Sequence, residues 1–284
     1  MSAAHFLALL QAEALKLVSR RGARVALVLA VVFGILGPAL LGLADGMELE
    51  VNGARFAEWL GLRVYGSTAQ LWALEARNSL VMPVFVMWLA AASLAGEYQA
   101  RTLREDLLRP VPRWAVLLAK WGALVLWVTA TLLLTWLPSA VGGLVLFGTE
   151  GEWGQVALAF VANVATDSTL AAMALLVAVA VRNVPATLVG LFLLWALSIA
   201  FGWGLGLSTT FLSTEIATGQ LGIPAWYGEF LAAAGPWLPS EALGAWRGGT
   251  FRADWVWEHF GSLALTTGLS LGLSAFVLER SDVP

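Results

Sequence analysis

The feature that most constrains this chain is a series of apolar runs separated by more polar segments. The runs are Val25–Leu43, Leu80–Leu94, Trp114–Phe147, Val156–Val181, Ala186–Leu207 and Gly261–Leu278. A helix needs about 20 mostly apolar residues to cross the hydrocarbon core of a bilayer. Asn78 and Ser79 can lengthen the short second run, which gives a span at 78–96. The pattern therefore predicts an all-α polytopic membrane protein, with six transmembrane helices in one domain over residues 1–284.

The composition supports this class of protein. Hydrophobic residues make up 59% of the chain and charged residues 12%, whereas charged residues are about a quarter of an average soluble domain. The formal net charge of -3 argues against a nucleic-acid partner. The absence of cysteine excludes disulfides, thiolate metal sites and a cysteine nucleophile.

The charge distribution predicts an orientation. Residues 2–19 have the pattern of an amphipathic helix that lies in the membrane interface. A cleaved signal peptide is the alternative, but the apolar run that follows (25–43) is longer than a usual signal core, so an uncleaved span is expected. With a cytoplasmic N-terminus, eleven Lys and Arg residues fall inside and five outside, the five being Arg55, Arg63, Arg77, Arg247 and Arg252. Positive residues favour the cytoplasmic side, so both termini are predicted to be cytoplasmic.

Two long segments then fall on the outer side. Residues 45–77 and 208–260 carry tryptophans at helical spacing, and the second segment also carries Pro224, Pro236 and Pro239. Indole rings prefer the headgroup depth of a bilayer. Both segments are therefore predicted to form interfacial helices on the outer leaflet.

Catalytic motifs are nearly absent. The two lysines, Lys16 and Lys120, do not follow a glycine-rich loop, so the chain lacks the sequence that cradles nucleotide phosphates. The segment from Gly268 to Gly272 matches a nucleophile elbow, but inside an apolar run the G-x-x-x-G spacing favours a close helix-packing face. No enzymatic activity, metal or cofactor is expected in this chain itself.

Asp167 is the residue that bulk hydrophobicity does not explain. It lies midway along the fourth run, with Asn163 and Thr166 on adjoining parts of the same helix face. A charged side chain at that depth costs about 3 kcal/mol on insertion scales. Because no lysine or arginine is predicted at that depth, we interpret Asn163, Thr166 and Asp167 as lining a transport pathway or a proton site. A helix–helix hydrogen bond is the alternative.

The polar stretch from Gly96 to Lys120 separates two of the predicted spans. Its apolar residues recur at helical spacing, which predicts an amphipathic helix over 97–109 that Pro110 and Pro112 end. Arg113, Trp114 and Lys120 then fall where interfacial anchors are expected. Such a helix is well placed to receive force from a soluble partner, although an ordinary solvated loop would have a similar composition.

The chain as a whole resembles a type-2 ABC transporter permease. The most specific part of the resemblance is the block formed by Glu97, Thr102, Leu103, Arg104, Arg109, Pro110, Val111, Arg113, Leu117, Leu118, Ala119 and Lys120. In that family the block is a coupling helix, which docks on a separate ATPase subunit. The resemblance assigns this docking to Glu97, Arg101, Thr102, Leu103, Arg104, Glu105, Leu107 and Leu108. The usual form carries glycine before Thr-Leu-Arg, where this chain has Ala100-Arg101.

The resemblance has further implications. It makes residues 2–19 an elbow helix, and it implies a dimer of permeases in the inner membrane, with ATP and Mg²⁺ bound to the partner ATPase. Transport in the family is usually outward. It does not name the cargo. The alternative function that the sequence leaves open is a secondary transporter that is coupled to protons through Asp167. An intramembrane enzyme is the function that the sequence supports least.

Overall fold

A computed structural model of the chain describes residues 2–46, 50–51, 54–55, 65–78, 81–103, 111–194 and 253–280. Within these ranges the helices are α1 (Ala3–Ser19), α2 (Arg21–Gly46), α3 (Gly66–Asn78), α4 (Val81–Ala100), α5 (Arg113–Phe147), α6 (Trp153–Val181), α7 (Val184–Leu194) and α8 (Ala253–Arg280). Two-residue strands β1 (Glu50–Val51) and β2 (Ala54–Arg55) pair in an antiparallel way between α2 and α3. The all-α membrane class is confirmed.

Five helices in the described ranges are long and apolar enough to cross a bilayer: α2, α4, α5, α6 and the part of α8 from Phe260 to Arg280. The sixth predicted span, 186–207, is represented by α7, and its remaining residues lie outside the described ranges. The predicted count of six therefore stays a prediction. Residues 208–252 of the predicted outer segment also lie outside these ranges.

Helices α2 and α5 run side by side in the same direction through close backbone contact. The Trp127 indole donates to the Ala23 carbonyl, and the Thr135 hydroxyl donates to the Ala30 carbonyl. The sequence separation of the two partners is nearly the same in both contacts, 104 and 105 residues, which shows that the helices are parallel. A Cβ at Gly34 would stand 2.5 Å from the Thr135 carbonyl oxygen. Small residues allow this approach, which membrane helices need because dispersion contacts rather than water exclusion hold them together.

Contacts between helices define two ends of the bundle. At the end that we call the Lys120 end, α1 meets α4 and α5, and Val184 contacts the Cβ position of Gly96. At the end that we call the Gly148 end, Gly66 lies against Gly143 and Gly148, and the Ser67 hydroxyl accepts from the Glu152 amide. Helices α3 and α4 together therefore run from the Gly148 end to the Lys120 end.

This path corrects the predicted layout of residues 66–77. The sequence placed them on the outer leaflet as part of segment 45–77, but α3 packs against both α2 and α5, with Ala69, Gln70, Ala73 and Arg77 fully buried. The candidate span that corresponds to the predicted 78–96 is Val81–Ala100, and α3 precedes it as a separate buried helix. Polar residues such as Gln70 and Arg77 lie on the buried face of α3 together with Ala69 and Ala73, so polarity in this helix does not indicate exposure.

Among the residues that the structure describes, no helix packs on the predicted face at Gly268 and Gly272. A Cβ at either glycine would meet no atom within 4 Å in the part of the chain that the structure describes. Helix α8 instead packs on α6 through the Thr169 and Thr267 hydroxyls, which lie 2.8 Å apart. Leu265, Leu269 and Leu273 are exposed on α8.

Candidate functional site: two buried charged clusters

The first cluster lies in the middle of the bundle, and we call it the central cluster: Arg77, Asn78, Thr131, Asn163 and Asp167. The Arg77 guanidinium donates through Nη2 to Asp167 Oδ2 and to Thr131 Oγ1, each at 2.9 Å. Its Nη1 donates to Asn78 Oδ1 at 2.6 Å, and the Asn78 amide donates to Asn163 Oδ1. All five residues are buried. The cluster joins α3, α5 and α6.

The Arg77–Asp167 pair corrects the argument made for Asp167 from the sequence. That argument placed Arg77 outside the membrane and concluded that Asp167 had no basic partner, which was wrong. Two opposite charges in hydrogen-bonding contact can be buried together, whereas either charge alone would be strongly disfavoured. The sequence did not reveal this pair because a hydropathy pattern alone does not show that α3 packs beside α6.

The three predicted pathway residues have different environments. Asp167 is paired with Arg77, and Asn163 bonds Asn78 and also donates to the Ala159 carbonyl at 2.7 Å. The Thr166 hydroxyl is buried and has no hydrogen-bond partner among the residues that the structure describes. Arg77 Nε is in the same situation. The structure therefore brings Asn163 and Asp167 into one network and leaves Thr166 beside it.

The second cluster lies at the Lys120 end, and we call it the terminal cluster: Glu13, Lys16, Glu97 and Lys120. The Lys120 ammonium, whose side chain is 0% exposed, lies 2.8 Å from Glu13 Oε2 and 2.6 Å from Glu97 Oε2. Lys16 lies 2.9 Å from Glu13 Oε1 and 3.8 Å from Glu97 Oε1. Two positive and two negative side chains thus alternate across α1, α4 and α5. Lys120 was expected to be an interfacial anchor, and its burial shows that this expectation was wrong.

The Glu97 carbonyl also takes part in the C-terminal cap of α4, which ends at Ala100. The Thr102 amide donates to the Glu97 carbonyl at 3.1 Å, and the Arg101 amide donates to the Tyr98 carbonyl at 3.2 Å. This pair of bonds closes a helix C-terminus when the residue after the cap adopts the left-handed conformation. Arg101 does so with φ of 59°. It occupies the position at which the resembled family carries glycine, the residue that this conformation favours.

These observations locate the residues predicted to couple to an ATPase. Residues 97–100 belong to α4, so the predicted coupling helix does not begin at Glu97. Arg101 and Thr102 are exposed, but Leu103 is fully buried within this chain. Arg104, Glu105, Leu107 and Leu108 lie outside the described ranges. Leu103 therefore contributes to the core rather than to an exposed docking face.

The end of this stretch is also held by a charged side chain. Arg113 Nη1 donates to the carbonyls of Leu278 at 2.8 Å and Glu279 at 3.2 Å. These carbonyls belong to the last turn of α8, where helix carbonyls lack intrahelical partners and attract positive charge. Glu97 and Arg113 thus tie the two sides of residues 101–112 to different helices of the bundle.

The fold and the clusters define a class of protein: a multi-pass helical membrane protein with paired charges in its interior. Residues 9–215 match the model of the ABC-2 family transporter protein, a region that extends from α1 beyond α7. The chain therefore belongs to the ABC-2 transporter family. It is also 30% identical over 78 residues to the uncharacterized protein YhcI of Bacillus subtilis (strain 168). That similarity covers 28% of this chain and 25% of YhcI.

Proposed function

We propose that this chain is the permease subunit of an ABC exporter, in which a separate ATPase subunit binds ATP and Mg²⁺ and drives transport. The observation that supports this most is the continuity of the family match, which runs through α1, both charged clusters and residues 97–120. The same proposal places the chain in the inner membrane as one of two permease copies, with cytoplasmic termini at the Lys120 end.

The arrangement at the Lys120 end suits such a subunit. Residues 101–112 lie in sequence between Glu97 at the end of α4 and Arg113 at the start of α5, and both of these side chains are held by charge to neighbouring helices. A stretch held at both sides can pass a displacement to the helices that hold it. In this proposal, Arg104, Glu105, Leu107 and Leu108 provide the contact with the ATPase subunit.

The proposal is tested by purifying the chain together with a co-expressed ABC ATPase encoded beside it, and by measuring ATP hydrolysis in liposomes. The complex is expected to hydrolyse ATP faster than the isolated ATPase, and an uncoupler should leave the rate unchanged. The Leu107→Asp/Leu108→Asp variant should lose the ATPase during purification, because buried apolar anchors typically contribute about 2 kcal/mol or more each. Thr149→Asp, at the exposed Gly148 end, is the control. Equal retention of the ATPase by all three chains would contradict the proposal.

The second permease copy can be tested separately, because the chain contains no cysteine. Val28 and Ile35 are 63% and 55% exposed on α2, whereas Ala26 and Ala30 on the same helix are fully buried. A single cysteine at position 28 or 35 is expected to cross-link two copies in native membranes, while one at 26 or 30 should not. Failure of cysteines at every exposed α2 position, and of those introduced along 195–206, would argue against a dimer that uses these helices.

Proton coupling through Asp167 is less well supported than it was from the sequence. The hypothesis of proton coupling was based on a buried acid without a basic partner. Arg77 is that partner, with its Nη2 atom 2.9 Å from Asp167 Oδ2. Collapse of transport in the presence of an uncoupler, with ATP present, would restore this alternative.

A further inference from the structure

Glu13 belongs to the N-terminal helix, yet its carboxylate is buried in the bundle. The residue is 4% exposed, and its two oxygens accept from Lys120 and Lys16 at 2.8 and 2.9 Å. An elbow helix that served only to rest on the membrane surface would present such a carboxylate to water. Here it is withdrawn from solvent and is used to hold a lysine of another helix.

The lysine that Glu13 holds is the one that holds Glu97. The Lys120 ammonium has no exposed surface, and the carboxylates of Glu13 and Glu97 are its two hydrogen-bond acceptors at 2.8 and 2.6 Å. A buried ammonium requires this compensation, so removal of one carboxylate leaves its charge only partly balanced. Glu97 is thus linked to Glu13 through Lys120, and Lys16, at 2.9 Å from Glu13 and 3.8 Å from Glu97, links them a second time.

Glu97 in turn fixes the point at which the chain leaves α4. Its carbonyl accepts from the Thr102 amide and thereby sets the turn at Arg101, and its side chain is held by Lys120. A displacement of the turn at Arg101 therefore acts directly on this residue. The links Thr102–Glu97, Glu97–Lys120 and Lys120–Glu13 form a continuous series of contacts from the turn to α1.

Packing alone does not require charges at these positions. Helix α1 already lies on α5 through apolar contact, since a Cβ at Gly122 would stand 3.0 Å from Leu10 Cδ1. Buried ionic groups can often be replaced together by apolar residues without loss of stability. What the ionic contacts add is a directional connection between three helices.

We infer that Glu13 is a positioning residue for energy coupling: through Lys120 it fixes Glu97, in the last turn of α4 before residues 101–112, and connects α1 to the helices on which the ATPase subunit acts. This inference rests on the proposed function, since it concerns how a bound ATPase subunit acts on the helices. It assigns α1 a role in transmitting force, in addition to its position beside the membrane.

The test uses the full chain in complex with its ATPase subunit in liposomes. Glu13→Gln keeps the size of the side chain and an acceptor oxygen but removes the charge. We expect permease-stimulated ATP hydrolysis to fall about tenfold, a change of about 1.4 kcal/mol in coupling, while the amount of ATPase bound per permease stays constant. Glu150→Gln makes the same chemical change at an exposed position of the Gly148 end and should leave hydrolysis unaltered.

A second variant guards against loss of folding. In Glu13→Leu/Glu97→Leu/Lys120→Met the charges are removed together, so no buried charge is left alone, and the variant should elute as the wild type does on size exclusion. It is also expected to lose stimulated hydrolysis while it retains the ATPase. Wild-type stimulation in either folded variant would overturn the inference, and so would failure of both variants to fold, because the cluster would then be structural.

The outcomes separate this inference from the proposed function. If the wild-type chain neither retains nor stimulates an ATPase, the proposed function fails. If the wild-type chain does both and Glu13→Gln does so equally well, only the role of Glu13 fails.

Discussion

Replacement of Asp167 by asparagine should destabilise the chain by removing the counter-charge of a fully buried arginine. Loss of one partner from a buried ion pair costs about 3 to 5 kcal/mol. Asparagine retains an acceptor oxygen, and the Arg77 guanidinium still donates to Thr131 and Asn78 at 2.9 and 2.6 Å. We therefore expect the lower value of about 3 kcal/mol, which reduces the ratio of folded to unfolded chain about a hundredfold.

The double variant Arg77→Met/Asp167→Leu distinguishes this reason from a general effect of substitution in the core. It removes both charges together, so its stability should be close to that of the wild type. Each matching single variant, Arg77→Met or Asp167→Leu, should cost about 3 to 5 kcal/mol, so the sum of the two should exceed the cost of the double variant by about 6 kcal/mol or more. Thr166→Val is the control, since it changes a buried neighbour whose hydroxyl has no partner in the described part of the chain.

Stability would be measured by denaturant unfolding in mild detergent, with the fraction of chain that elutes as a single folded species as a second readout. If Asp167→Asn is as stable as Thr166→Val, the pair does not provide the expected stabilisation and the reasoning is refuted. The stable double variant also tests the pathway proposal for Asn163, Thr166 and Asp167. Normal function of the double variant would make the central cluster structural, whereas loss of transport in a folded variant would support a role in the pathway.

Three further predictions concern backbone and core positions. Gly34→Leu should cost about 3 kcal/mol in the same unfolding assay, because its Cβ would stand 2.5 Å from the Thr135 carbonyl oxygen. The control is Gly272→Leu, whose Cβ would meet no described atom within 4 Å. Equal losses of stability in the two variants would contradict the packing argument. Arg101→Gly should stabilise the chain by about 1 kcal/mol, because glycine accommodates φ of 59° without strain; a loss of stability would show that the Arg101 side chain matters more than its backbone. Leu103→Ala should cost about 2 to 5 kcal/mol in the permease alone, since this side chain is fully buried; unchanged stability with loss of ATPase binding would restore its predicted docking role.

The membrane class and most helices could be predicted because they depend on sums over many residues. An apolar run of sufficient length is stable in a bilayer as a helix whatever its neighbours are, since its backbone bonds are satisfied internally. The helical part of the prediction for residues 2–19 is confirmed by α1, which ends at Ser19. The strength of these patterns does not depend on contacts between distant parts of the chain.

The environments of single charged residues could not be predicted in the same way. Arg77 lies just before an apolar run and Lys120 near the start of one, where a positive charge normally indicates the membrane interface. Their burial depends on carboxylates 90 and 107 residues away in sequence, on helices whose packing cannot be read from hydropathy. Leu103 was assigned to the docking face by the family resemblance, and its burial against the other helices depends on contacts that a sequence motif does not reveal.

The pairing of Arg77 with Asp167 also has a consequence for biosynthesis. The two residues are separated by 90 positions, which corresponds to about 5 to 18 s of translation at usual rates. During that interval Arg77 has left the ribosome without its counter-ion, and an unpaired arginine is strongly disfavoured in the hydrocarbon core. We therefore expect α3 to take its final place in the bundle only after α6 has been synthesised, so that this one ion pair sets the earliest time at which the core can be completed.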